Sequence, residues 1–154
     1  MTKYTTHKGY DYERGKSILR GIIILILAAM ILGGICEASC AEMKISVDGE
    51  RLNVEWEDNI SVNALMELAP LTVNMSAYGG FEQVGKLGRS IPRKDTQITT
   101  KPGDIVLYSG NQIVVFYGSN SWSYTRLGRI TGKSQSELSE LLGKPSVTLT
   151  ISAD

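Results

Sequence analysis

The stretch GDIVLYSGNQIVVFYG, Gly103 to Gly118, restricts the fold more than any other part of the chain. It reads as two short strands joined over Ser109-Gly110-Asn111. Ile105 and Leu107 share one face of the first strand, with Val106 and Tyr108 on the other. On the return strand Ile113, Val115 and Tyr117 oppose Val114 and Phe116. A hairpin at a solvated sheet surface alternates apolar and polar positions, whereas this one is apolar on both faces. It predicts central strands covered on two sides, in a domain organised around a β-sheet.

The flanking segments supply more strands. MKISVDGERLNVEW, residues 43 to 56, alternates on both sides of Asp48-Gly49, a dipeptide suited to a tight type I′ turn. EDNISVNALMELAP then changes period, and Asn59 or Ser61 can cap a short helix that runs through Leu68 and stops at Pro70. LTVNMSAY returns to alternation. Phe81 to Lys101 has weak periodicity and carries Arg89, Arg93 and Lys94, which predicts a connecting loop. GSNSWSYTRLGRI reads as a polar loop bearing Trp122 and Tyr124, followed by a short strand. Ser134-x-x-Glu137 is a capping-box pattern with Gly143 placed to stop its helix, and SVTLTIS closes the chain as a strand. Seven or eight short strands with two short helices predict a small barrel or sandwich, whose edges vanish when the last strand pairs with the first.

The N-terminal residues form a separate unit, 1–41, ahead of the domain at 42–154. GIIILILAAMILGGIC, residues 21–36, is uncharged and helical in character, and follows a stretch bearing Lys3, Lys8, Arg14, Lys16 and Arg20. With Ser39-Cys40-Ala41 behind it, this arrangement matches a secretory signal peptide. The run is slightly shorter than the roughly 17–25 residues of a membrane-spanning helix. An uncleaved membrane anchor with its basic end in the cytoplasm is the second reading. Either way the domain is expected to be exported: secreted or periplasmic, or tethered through residues 21–36.

Composition then narrows the chemistry. From Glu42 onward eleven Lys and Arg face thirteen Asp and Glu, a net charge of −2 that offers no footprint for nucleic acid. His7, Cys36 and Cys40 all lie upstream. A domain without His or Cys builds no typical zinc site, no Ser-His-Asp triad and no Cys-His pair. Phosphate-loop, calcium-loop and dinucleotide motifs are missing from the sequence, so neither a cofactor nor a metal is expected.

The succession KISVDGERLNVEW, ELAPLTVNMSAYGG, PGDIVLYSGNQIVVFYG and SYTRLGRI resembles the small bacterial and archaeal cyclophilin-like proteins, over residues 43 to 153. That resemblance implies a mainly β fold: a closed cyclophilin-like β-barrel capped by short helices. It also raises the possibility of peptidyl-prolyl isomerase activity, which needs an apolar pocket and a cationic donor rather than a nucleophile or metal. Arg89-Ser90-Ile91-Pro92 has the Arg-x-x-Pro spacing of true cyclophilins, and Gln97 stands eight residues after Arg89, as their Gln does. The chain departs from the pattern elsewhere. Lys94, Ile113 and Val114 stand where pocket Phe residues belong, Tyr124 where the His belongs, and Trp122 is too close to Gly128.

Seven of the domain's eight aromatic residues fall between Tyr78 and Tyr124. Trp122 and Tyr124, amphipathic rings in a polar segment, are candidates for a binding surface. Arg89 would suit a carboxylate or carbonyl group if it faced them. Arg126 and Arg129 can pair with an acidic residue across the sheet. The favoured expectation is a domain that binds a small molecule or peptide, without catalysis, in a cleft lined by Arg89, Phe116, Trp122 and Tyr124. The alternative is a prolyl isomerase using Arg89 and Gln97.

Overall fold

Asp48 and Gly49 take φ values of 50° and 85°, the two positive angles of a type I′ turn, and fold β1 (Met43–Val47) back onto β2 (Glu50–Trp56). The computed structural model describes residues 42–153. The hydrophobic segment at 21–36, with its reading as signal or anchor, lies outside the described residues.

After β2 the chain enters α1 (Ile60–Met66). Of the two expected caps Asn59 serves: its Oδ1 accepts from the N–H groups of Ser61 and Val62, at 3.0 Å each. Its Nδ2 donates to the Arg126 carbonyl at 3.0 Å, which ties the helix start to a neighbouring strand. The helix ends before Pro70. β3 (Leu71–Tyr78), β4 (Glu82–Lys86), β5 (Thr96–Thr99), β6 (Asp104–Tyr108), β7 (Gln112–Phe116) and β8 (Ser121–Thr131) follow. Then come α2 (Gln135–Leu142) and β9 (Ser146–Ala153). The capping box forms at Ser134 and Glu137, with Gly143 as the C-cap.

Hydrogen-bonded neighbours run β2-β1-β9-β3-β4-β7-β6-β8, and β8 returns to β2. The result is a closed barrel of eight strands in which β9 joins β1 and β2 joins β8. β5 stands outside the ring and pairs only with the first half of β8, Ser121 to Tyr124. At the β2–β8 seam Trp56 faces Gly128. A Cβ on Gly128 would lie 2.6 Å from the Glu55 carbonyl oxygen, so only glycine lets the two backbones meet there.

Alternation divides the side chains into two populations. Ile45, Val73, Met75, Ile105, Leu107, Ile113, Val115, Leu127, Leu149 and Ile151 point inward and fill the barrel. Val62 and Leu65 of α1, with Leu138, Leu141 and Leu142 of α2, extend the same cluster. Buried Gln83 donates from Nε2 to the carbonyls of Leu142 and Lys144, both at 2.7 Å, and so satisfies the C-terminal end of α2.

Two expectations need correction. The segment 81–101 is not a continuous loop, since β4 and β5 lie within it. Trp122 and Tyr124 stand on a strand rather than in a loop, because β8 starts at Ser121. The central hairpin, the turn at Asp48-Gly49, both helices and the closure of β9 on β1 match the sequence reading.

Candidate functional site

On the outer face of β4, β7, β6 and β8 a second apolar cluster forms, separate from the barrel interior. Val106, Val114, Phe116 and Tyr124 are its buried members, with Phe81, Val84, Ile98 and Tyr108 packed around them. This explains the two-sided hairpin: one face of β6 and β7 fills the barrel and the other founds this outer cluster. Phe116 lies at its centre, stacked on Phe81 at 6.5 Å and edge-on to Tyr124 at 5.7 Å. Tyr108 meets Tyr124 edge-on at 5.9 Å.

Above this floor opens a cavity of about 440 Å³. Tyr108, Trp122 and Tyr124 form much of its wall, with Glu82, Gln112 and Asn120 as the polar groups. Tyr78 and Trp122 stand at the rim, 67% and 56% exposed, among the few large apolar side chains left open to solvent. The first half of β8 carries Trp122 and Tyr124 on one face because they alternate with Ser121 and Ser123. Register with β5 places Ile98 beside Trp122 and Thr96 beside Tyr124. Asn120 is held by Thr100, which is fully buried: its backbone N–H donates to the Thr100 Oγ1 at 3.0 Å. The Asn120 Nδ2 in turn donates to the Tyr124 hydroxyl at 3.0 Å.

Glu82 is the unexpected member. Its position opposite Phe116 and Tyr78 points it at the outer cluster, and it is only 6% exposed. Its Oε2 has no hydrogen-bond partner among the described residues. Burial pushes its carboxyl up to about 7 from the ordinary 4.5. The Tyr124 phenol is raised as well, by burial first and then by the nearby Glu82 charge, against the Asn120 hydrogen bond.

The shift has a consequence for stability. Between about 4.5 and about 7 the folded state holds the Glu82 proton and the unfolded chain does not. This contribution is fully present below the lower value and is lost as pH rises through the upper one. Urea midpoints of the wild type, relative to Glu82→Gln, are expected to fall across that window; parallel pH profiles would contradict the assignment.

The structure brings Phe116, Trp122 and Tyr124 together, with Phe116 packed beneath the cavity rather than lining it. It does not bring Arg89 or Gln97 to them. Arg89 is exposed in the loop after β4, a loop tied to the β6–β7 turn through the Ile91 N–H and the Gly110 carbonyl. Gln97 pairs with Ser123, so it projects from the face of β5 opposite to Ile98 and Trp122. Neither lines the cavity.

A second recess, of about 530 Å³, is lined by Glu55, Trp56, Glu57, Thr99, Lys101, Arg126 and Arg129. Its two arginines are already engaged, as the sequence reading allowed: Asp104, fully buried, pairs with Arg126 at 3.2 Å and with Arg129 at 2.6 Å. With Asp104 counted, the carboxylates of Glu55 and Glu57 make three against the three cations Lys101, Arg126 and Arg129, so the recess carries no net charge. Among the described residues no three His, Cys, Asp or Glu side chains gather in a way that could hold a metal ion.

No curated protein matches the sequence. Residues 45–152 match the cyclophilin-like family. That span begins within β1 and ends within β9, so it takes in nearly all of the barrel together with the outer cluster, and the chain belongs to the cyclophilin-like family.

Proposed function

We propose that the domain binds a small molecule or a short peptide segment in the aromatic cavity and does so without catalysis. The observation that carries this reading is the pairing of an exposed rim, Tyr78 and Trp122, with a buried floor of Phe116 and Tyr124. A protein that merely packed its core would not leave large rings standing at the mouth of a concavity. The cavity volume falls within the range of roughly 300–1,000 Å³ common to small-ligand sites. Export, with residues 21–36 as signal or anchor, belongs to the same proposal and would present the site outside the cytoplasm.

An NMR fragment screen against the full chain tests it. Hits are expected to shift Trp122 and Tyr124, and Trp122→Ala should weaken them by about tenfold, a loss of about 1.4 kcal/mol for removing a large ring from the cavity mouth. Hits that ignore Trp122 would remove the proposal. Xaa-Pro peptides in the same spectra should exchange at their uncatalysed rate. Acceleration abolished by Arg89→Ala would install the isomerase in its place.

A further inference from the structure

Glu82 is the one carboxylate among the residues lining the aromatic cavity, and no lysine or arginine lines it. Tyr78 of β3 and Phe116 of β7 oppose it in the sheet, and Val114 of β7, Tyr108 of β6, and Trp122 and Tyr124 of β8 line the cavity with it. The titratable groups among them are phenols, and the amides of Gln112 and Asn120 also line the cavity. A carboxyl oxygen buried without a donor is an exception that a folded protein rarely tolerates, and here it belongs to a side chain that lines a cavity.

The surroundings select the kind of group that can partner this carboxylate. Ring faces are electronegative, so a box of Tyr and Trp repels an anion and attracts a cation. A carboxylate in the same box adds attraction to the same sign of charge. Neither a phosphate nor a carboxylate ligand finds a counter-charge there. A neutral apolar ligand would leave the Glu82 carboxylate without a counter-charge.

We propose that the cavity selects organic ammonium cations, with Glu82 as counter-ion and Tyr108, Trp122 and Tyr124 as the rings around the cationic group. The inference rests on the binding reading above and names its ligand class. The cation can belong to a free amine or to a lysine side chain on a peptide. Binding takes the ionised form of Glu82, so the ligand displaces the proton that the empty site retains near neutrality.

Calorimetric titration of the full chain tests this with benzyltrimethylammonium, whose charge does not titrate, and neopentylbenzene, its neutral counterpart of the same shape. The cation is expected to bind about tenfold more tightly at about pH 8 than at about pH 6, following the ionised fraction of Glu82. At the higher pH it should exceed the neutral compound by tenfold or more. Glu82→Gln should lose the pH dependence and most of the preference for charge, keeping the share that the rings supply, while still accepting the neutral compound. A doubly capped lysine peptide set against butylammonium separates the two sources of the cation. Equal affinity for charged and neutral probes, or a cation affinity independent of pH in the wild type, would overturn charge selection and leave the binding reading intact. Failure of both probes would also overturn it, with the broader reading decided separately by the Trp122 dependence of fragment hits.

Discussion

Replacing Phe116 with alanine is expected to lower the stability of the fold by about 3–5 kcal/mol, the loss typical of a fully buried phenylalanine. Phe116 is 0% exposed and contributes to neither the barrel interior nor the solvent surface. Its ring is the one against which Phe81 stacks and Tyr124 stands edge-on. Removing it leaves a void beneath the cavity and withdraws a ring contact from each neighbour, so transfer and packing losses add. Urea denaturation should show a lower midpoint with an unchanged slope. Phe116→Leu, which keeps much of the volume, should lose less than half as much.

The same substitution has a second readout. Tyr124 would keep its hydrogen bond from Asn120 but lose the ring that fixes its tilt, and ligand affinity should fall although Phe116 itself lines no part of the cavity. A stability loss under about 1 kcal/mol would mean that the outer cluster is not packed as a second core. A large loss with undiminished ligand affinity would detach the cavity from its floor.

How far the sequence reveals this arrangement depends on where each strand's two faces point. The hairpin at Gly103–Gly118 is legible because both its faces meet apolar clusters, and the reading of central strands follows directly. Caps and turns are legible because Asn59, Ser134 with Glu137, and Asp48-Gly49 act within a few residues of themselves. β4 is illegible for a physical reason. Its inward positions are Gln83, spent on the last carbonyls of α2, and Gly85, where a Cβ would lie 2.4 Å from Val73. Of its outward positions Glu82 and Val84 face a cavity rather than water, and only Lys86 at the strand's end is exposed. No period-two pattern survives, and Glu82 passes for a solvated loop residue.

β5 is hidden in a similar way, since it pairs with β8 alone and contributes only Ile98 to an apolar cluster. The first half of β8 did carry a signal: Ser121, Ser123 and Thr125 alternate with Trp122 and Tyr124, which is strand periodicity with the aromatic residues on one face. The Arg-x-x-Pro spacing and the following Gln97 misdirect because spacing along the chain says nothing of which side of β5 a residue projects from. Glu82 becomes visible only when β4 is laid against β3 and β7, because the rings that surround it come from other strands.

Asp104→Asn is expected to cost about 3 kcal/mol, the lower end of the range for breaking a buried ion pair. Asp104 opens β6 and is itself fully buried. Its Oδ1 accepts from the Arg129 Nε at 2.7 Å and pairs with the Arg129 Nη2 at 2.6 Å. Its Oδ2 pairs with the Arg126 Nη1 at 3.2 Å and accepts from the Lys101 N–H at 2.9 Å. Asparagine preserves the shape but leaves two guanidinium groups facing a neutral amide. Both guanidiniums reach water, at 34% and 43% exposure, which holds the loss below that of a wholly enclosed network. Double-mutant cycles should divide the effect unequally. Arg129, with two short contacts to one oxygen, should couple to Asp104 more strongly than Arg126, with one longer contact. The strands joined are β6 and β8, next to the bulge between Ile105 and Val106, beyond which β8 leads back to Tyr124. Ligand affinity should therefore weaken in Asp104→Asn even under conditions where the variant is fully folded. Equal couplings, or affinity untouched by the substitution, would show that the ion network braces the barrel without governing the site.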